Sequence, residues 1–212
     1  MKIDYRPAFS YPFRGKNLRR RLLIGCACSL ILPLIFGYFI RAYRKILHGE
    51  DSEPPEWDDM MDIFSQGMIG LFIVIIYLFL PFLLILIGYL LTGGGYYVIS
   101  SQGVISFTGI LSLMVVLVGF LLFFLALILL PMALAFYADS LDIMEAINLP
   151  QVAGKVCDNI ENYFMALIVF SCVALAALGI FIFILPLSIF YLYLFFAYVF
   201  ARVAVNSEQV SK

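Results

Sequence analysis

Seven carboxylates, Glu50, Asp51, Glu53, Glu56, Asp58, Asp59 and Asp62, stand in the stretch 50–62 with no cation among them. A calcium loop would need oxygen ligands at regular spacing around a glycine, and Pro54-Pro55 breaks that register. Two other uses remain open for these acids. They could dock a basic partner. They could also neutralise Arg41, Arg44, Lys45 and the cluster Arg19, Arg20 and Arg21 while capping a helix. Exposed pairs of this kind stabilise by only about 0–1 kcal/mol each, so their value would be in positioning. The other reactive groups say less. His48 is the single histidine, and neither a His-Glu-x-x-His zinc motif nor a Gly-x-Ser-x-Gly elbow is present; it reads as an exposed loop residue. Cys26 and Cys28 have neither zinc nor redox spacing, and with Cys157 and Cys172 they read as small apolar helix residues. Gly93-Gly94-Gly95 lacks the Lys-Ser/Thr sequel of a phosphate loop. No catalytic, cofactor or metal site is assigned, and no enzyme activity is expected.

The elements that must position these groups are unusually apolar. A hydrophobic fraction of 64%, only 13% charged residues and a mean hydropathy of +1.06 exclude a soluble globular domain. The runs 68–91, 104–138 and the two halves of 162–201 contain no Lys, Arg, Asp or Glu. About 20 apolar residues cross roughly 30 Å of hydrocarbon, and only helices or closed barrels satisfy their backbones there. Unbroken runs without alternation select helices. The expected class is therefore all-α, a polytopic helical membrane bundle of four spans plus one ambiguous N-terminal segment.

That segment is 22–40, with Pro33 in its middle and cations at both ends. If it spans, the 13 Lys and Arg divide 7 against 6 across the bilayer. If it enters and returns as a re-entrant hairpin bent near Pro33, they divide 13 against 0, as the positive-inside rule prefers. The hairpin is the expectation, with a fifth span as the alternative. The far side would then present only the uncharged segments 92–103 and 178–183, and both termini would be cytoplasmic, in the inner (cell) membrane. No small-x-small cleavage pattern follows the first apolar run, so no cleaved signal is expected.

The chain divides into a basic arm, 1–21, a single helical membrane domain, 22–205, and a polar tail, 206–212. The arm interleaves Tyr5, Phe9, Tyr11 and Phe13 with cations, suiting contact with anionic headgroups at about 1 kcal/mol per Lys or Arg. His48-Gly49 should end a helix, with Arg44 and Lys45 complementing its dipole and Gly49 taking the left-handed position. Surface helices are expected near 56–66 and 140–161. In the first, Trp57, Met60 or Met61, Phe64 and Met68 form an apolar stripe. In the second, Asp139 or Ser140 caps the start, Asn148-Leu149-Pro150 restarts the helix, and Val152, Val156, Ile160 and Tyr163 or Phe164 share a face. Pro131 should kink the inner end of its span.

The block Gly37-Tyr38-Phe39-Ile40-Arg41-x-x-Arg44-Lys45-x-Leu47-x-Gly49-Glu50-x-x-x-Pro54-Pro55-Glu56-Trp57-Asp58-Asp59, with Gly67 beyond it, resembles an uncharacterised prokaryotic membrane family, domain of unknown function 4013. The resemblance extends over most of the chain through Pro131, Tyr137-Ala138-Asp139, Glu145-Ala146-Ile147 and Asn162-Tyr163. Met60 departs from the pattern, which commonly has a second Trp there. The resemblance implies an integral membrane protein and carries no catalytic residues. The expected function is an accessory or scaffold component that binds protein partners or lipids, anionic lipids included, through 41–66 and 139–162. Candidate contacts are Arg19, Arg20, Arg21, Arg41, Arg44, Lys45, Glu50, Glu56, Trp57, Asp58 and Asp59; nucleic acid and cofactors are not expected. The rival is a small-molecule or lipid transporter or channel. It is disfavoured because the apolar runs hold no ionisable relay and show no inverted repeat.

Overall fold

Proline and glycine set most of the helix boundaries in a computed structural model that describes residues 6–15, 17–29, 31–50, 52–91, 107–180 and 185–210. The elements are α1 (Arg6–Ser10), a 3-10 turn (Tyr11–Phe13), α2 (Leu18–Cys28), α3 (Leu32–Leu47), α4 (Met60–Leu91), α5 (Phe107–Ser140), α6 (Ile143–Ile147), α7 (Leu149–Asp158), α8 (Ile160–Ile180) and α9 (Leu185–Val210). The fold is all-α. Among the described residues three segments are long and apolar enough to cross a membrane: α4, Gly109–Ser140 of α5 and Leu187–Val205 of α9. The number is four if the pair α7 and Ile160–Ala176, bent through 91°, counts as one span. The uncharged turns 92–103 and 178–183 fall wholly or mainly outside the described residues.

The expected break in 22–40 is present. α2 ends at Cys28, Ile31 is extended, and α3 restarts with Pro33 in its first turn, where its missing N–H costs nothing. The other end of α3 stops as the sequence requires. Gly49 has φ +81°, the Glu50 N–H donates to the Lys45 carbonyl at 2.9 Å, and the Gly49 N–H donates to that of Ile46 at 3.1 Å. This is a Schellman closure of orphan carbonyls.

Two compact units emerge, residues 1–73 with 131–212, and residues 74–130. In the first, α3 packs along α9 through aromatic rings. Phe39 meets Tyr193 at 5.8 Å and Phe196 at 5.3 Å between centroids. Tyr163 of α8 reaches Phe200 at 5.6 Å. The arm lies against the same helix, with Phe9 on Phe195 and Tyr11 on Tyr198. Each such pair contributes about 0.5–1.5 kcal/mol beyond area burial. The first turns of α4 cross α3 at Gly37 and Gly67, where backbones touch without side chains between them.

The second unit is a helical pair held by small residues. Gly88 faces Val116, Gly119 faces Ile85, and Ser112 Oγ donates to the Gly88 carbonyl at 2.6 Å. Phe79, Leu90, Leu121 and Phe124 point outward and are exposed, as lipid-facing positions require.

Two expected surface elements differ from the structure. The helix near 56–66 starts only at Met60 and is the first part of α4 rather than a separate element. Pro54-Pro55 and a left-handed Asp59, φ 45°, keep 54–59 non-helical. Trp57 leaves the Met61-Phe64-Met68 stripe and stacks on Tyr38 instead. The element near 140–161 is two helices. Asp142, not Asp139 or Ser140, caps α6 by accepting from the Met144 N–H at 2.9 Å, and Asn148 caps α7. Val152, Val156 and Tyr163 are buried, but Ile160 is 49% exposed because the chain bends beside it. α5 passes through Pro131 without interruption.

Gly154 sits in exposed α7 with nothing within 4 Å of where a Cβ would stand. Gly154→Ala should therefore raise stability by about 0.5–1 kcal/mol through helix propensity, read as a higher unfolding temperature in detergent.

Candidate functional site

Arg41 anchors the polar centre of the first unit. Its Nη1 donates to Asp58 Oδ1 at 2.8 Å and to the Asp58 carbonyl at 3.0 Å, and its Nη2 donates to Asp62 Oδ2 at 2.7 Å. Asp62 Oδ2 also accepts from Gln66 Nε2 at 2.7 Å, and Gln66 is buried. The Arg41 side chain is only 19% exposed, so solvent screens this fork less than an ordinary surface pair. Asp59 Oδ1 accepts from the Asp62 N–H at 3.4 Å and so closes the start of α4.

One turn earlier on α3, Tyr38 stacks on Trp57 at 4.1 Å with 12° between planes, and its hydroxyl donates to the Pro55 carbonyl at 2.7 Å. Burial pushes the Tyr38 phenol above its ordinary pKa, against the pull of the Arg21 charge, so it stays a donor. From the other side, Asn17 Nδ2 donates to Glu56 Oε1 at 3.0 Å. The loop 55–58 thus meets both the residue that precedes α2 and the C-terminal half of α3. Gly25 of α2 and Tyr38 of α3 both lie against Phe190.

The basic cluster divides by role. Arg19 and Arg20 are exposed, whereas Arg21 is 5% exposed. Arg21 Nη2 donates to the carbonyls of Pro12 and Arg14, which ties the arm to α2. Sequence reasoning grouped the three arginines because nothing in Arg19-Arg20-Arg21 distinguishes them until helix phase is fixed. Among the described residues, the ion pairs are Arg41 with Asp58 and Asp62, and His48 with Asp139 at 3.6 Å when the imidazole is protonated. Among the described residues neither Arg44 nor Lys45 forms an ion pair, and Glu50 is exposed. The expected broad neutralisation is therefore concentrated on one arginine. The contact of His48 with Asp139 joins the two polar regions, 41–66 and 139–162, that the sequence placed on one face.

The residues that build this centre, from Gly37 through Arg41 to Trp57, Asp58 and Gly67, are those of the resemblance block, and the family model for DUF4013 matches residues 22–187. The chain belongs to DUF4013, a family of proteins of unknown function. No curated protein matches the chain, and no solved structure does. The matched region begins within α2 and includes Arg41, Glu56, Trp57, Asp58 and Asp62 but not Asn17 or Arg21.

A cavity of about 260 Å³ opens between the start of α2 and the loop, lined by Asn17, Arg20, Arg21, Glu56, Trp57 and Asp58. Among the described residues no three His, Cys, Asp or Glu side chains form a metal-holding group.

Proposed function

We propose that this protein is a non-enzymatic accessory or scaffold component of a prokaryotic inner membrane, engaging partner proteins or lipids through a cytoplasmic face built from 41–66 and 139–162. In this reading α2 and α3 form a re-entrant hairpin, α7 is an amphipathic surface helix, and both termini are cytoplasmic. The observation that carries it is the clasp: Asn17 with Glu56, and Arg41 with Asp58 and Asp62, hold both ends of the 17–41 stretch to one loop. A bent segment inside a bilayer is tolerated when it packs on neighbouring helices, and α2 and α3 both pack on α9. Beside the clasp stand exposed charged side chains that make none of its bonds, Arg44 and Glu50, available to a partner.

Two measurements test the proposal. A reporter fused after His48 should signal from the same compartment as one fused after Lys212; opposite signals would make 22–40 a full span. In a gentle-detergent pull-down, a stoichiometric partner should co-purify with the wild type and be lost from the Glu50→Lys variant. Glu50 is exposed, so the fold should change by less than about 0.5 kcal/mol. Substrate flux by the purified protein in liposomes would support the transporter reading and overturn a purely structural role.

A further inference from the structure

We infer that the outward face of α2 seats an anionic phospholipid, with the phosphate on Arg19 and an acyl chain along Leu23, Ala27 and Ile31. The inference deepens the lipid contact of the proposed reading by naming the lipid class, and it moves that contact from the acidic loop to α2. Helix phase carries it. α2 turns one face inward, where Arg21, Gly25 and Cys28 are buried and Gly25 lies against Phe190 of α9. At about 3.6 residues per turn, Arg19, Leu23 and Ala27 fall on the opposite side, and all three are exposed. Leu23 is 73% exposed, and Ile31 at 48% and Leu32 at 60% continue the apolar surface past the end of the helix.

Depth and charge choose the occupant. Arg19 stands in the first turn of α2, and Ala27 lies about 12 Å further along the axis at roughly 1.5 Å per residue, against about 15 Å of hydrocarbon in one leaflet. A cation above an apolar stripe of that length matches a phosphate above an acyl chain. Residues 5–49 contain no Asp or Glu, and among the described residues Arg19 forms no ion pair. The arm and α2 therefore offer no carboxylate to the ammonium of a zwitterionic headgroup, whereas a lipid of net negative charge is attracted. Glu56 and Asp58 stand with Arg20, Arg21 and Ile24, around the helix from Leu23, and are already bonded to Asn17 and Arg41. Return or full crossing of 22–40 alike leaves Arg19 at the boundary and Leu23 in lipid, so the seat does not depend on the hairpin.

The test is native mass spectrometry of the full-length protein released from nanodiscs of equal phosphatidylglycerol and phosphatidylethanolamine. The wild type should retain phosphatidylglycerol in preference. Arg19→Gln should lower that preference about fivefold, the factor set by the roughly 1 kcal/mol of one cation near an anionic surface. Arg19 is exposed, so the unfolding temperature should not move. Arg20→Gln should lower the preference less, because Arg20 shares its cavity with Glu56 and Asp58. Arg44→Gln makes the same charge change at another exposed position and should leave the preference unaltered. Millimolar inorganic phosphate should displace no lipid, because it lacks the chain that covers Leu23 and Ile31. Equal retention of both lipids by the wild type, or a wild-type preference in Arg19→Gln, would overturn the seat. An equal loss in Arg44→Gln would reveal a net-charge effect and overturn the assignment to α2, and displacement by phosphate would overturn the acyl half. Loss of a co-purifying protein from Arg19→Gln, with lipid retention intact, would give the face to a protein partner instead. The Glu50→Lys pull-down is read separately, so the scaffold role and the lipid seat can fail independently.

Discussion

Alanine at Gly37 or Gly67 is expected to destabilise the protein by about 3 kcal/mol or more, the upper end of overpacking costs. A Cβ on Gly37 would stand 1.7 Å from the Ile63 carbonyl oxygen, and one on Gly67 would stand 1.8 Å from that of Pro33. Both obstacles are backbone in continuous helix, so neither can rotate aside. The helices would have to separate, and separation would draw Arg41 away from Asp62 as well. Gly70 supplies the internal control. Its Cβ would meet Ile40 Cδ1 at 2.4 Å, the far end of a flexible side chain. Gly70→Ala should therefore cost only about 1–2 kcal/mol, and Ile40→Val, which removes that methyl, should recover part of it. No side-chain trimming should rescue Gly37→Ala. Thermal unfolding in detergent followed by size-exclusion chromatography reads all of these. A Gly37→Ala protein as stable as wild type would mean that α3 and α4 do not cross in contact.

These crossings show what the sequence could and could not reveal. The apolar runs identified the long helices because a bilayer leaves the backbone few alternatives, and Pro33, Gly49 and Pro150 marked real boundaries because their backbone restrictions are local. The partners of Gly37 and Gly67 were not legible: close approach depends on helix phase, which an all-round apolar segment such as α4 does not display. The same reason hid the difference between Arg20, exposed, and Arg21, buried under the arm. The acid cluster was legible as a site but not as a network. Composition showed that Glu50–Asp62 faced many cations, and only the three-dimensional register revealed that Arg41 takes both Asp58 and Asp62. Trp57 was placed on a helical stripe because spacing favoured it, whereas the two prolines before it and the turn at Asp59 freed it to stack on Tyr38.

Replacing Arg41 by Gln should cost about 2 kcal/mol, within the range for hydrogen bonds to charged groups and below that for a fully buried broken pair. The contributions are unequal. The Asp58 carboxylate is 76% exposed and adds little beyond its surface pairing; Asp62, at 43%, and the Asp58 carbonyl carry more. Arg41→Lys keeps the charge but cannot place two donors on two carboxylates, so it should lose roughly half of that amount. A double-mutant cycle of Arg41→Gln with Asp62→Asn should give a coupling of about 1 kcal/mol or more, while the cycle with Asp58→Asn should give less. The consequence reaches beyond stability, because Arg41 is the bond between α3 and the loop that carries Glu56 and Trp57. With it removed, limited proteolysis should cut 50–59 faster than in the wild type. A coupling near zero at Asp62, with unchanged proteolysis, would show that the loop is held without Arg41, by Tyr38 through its stack on Trp57 and its bond to the Pro55 carbonyl and by Asn17 at Glu56.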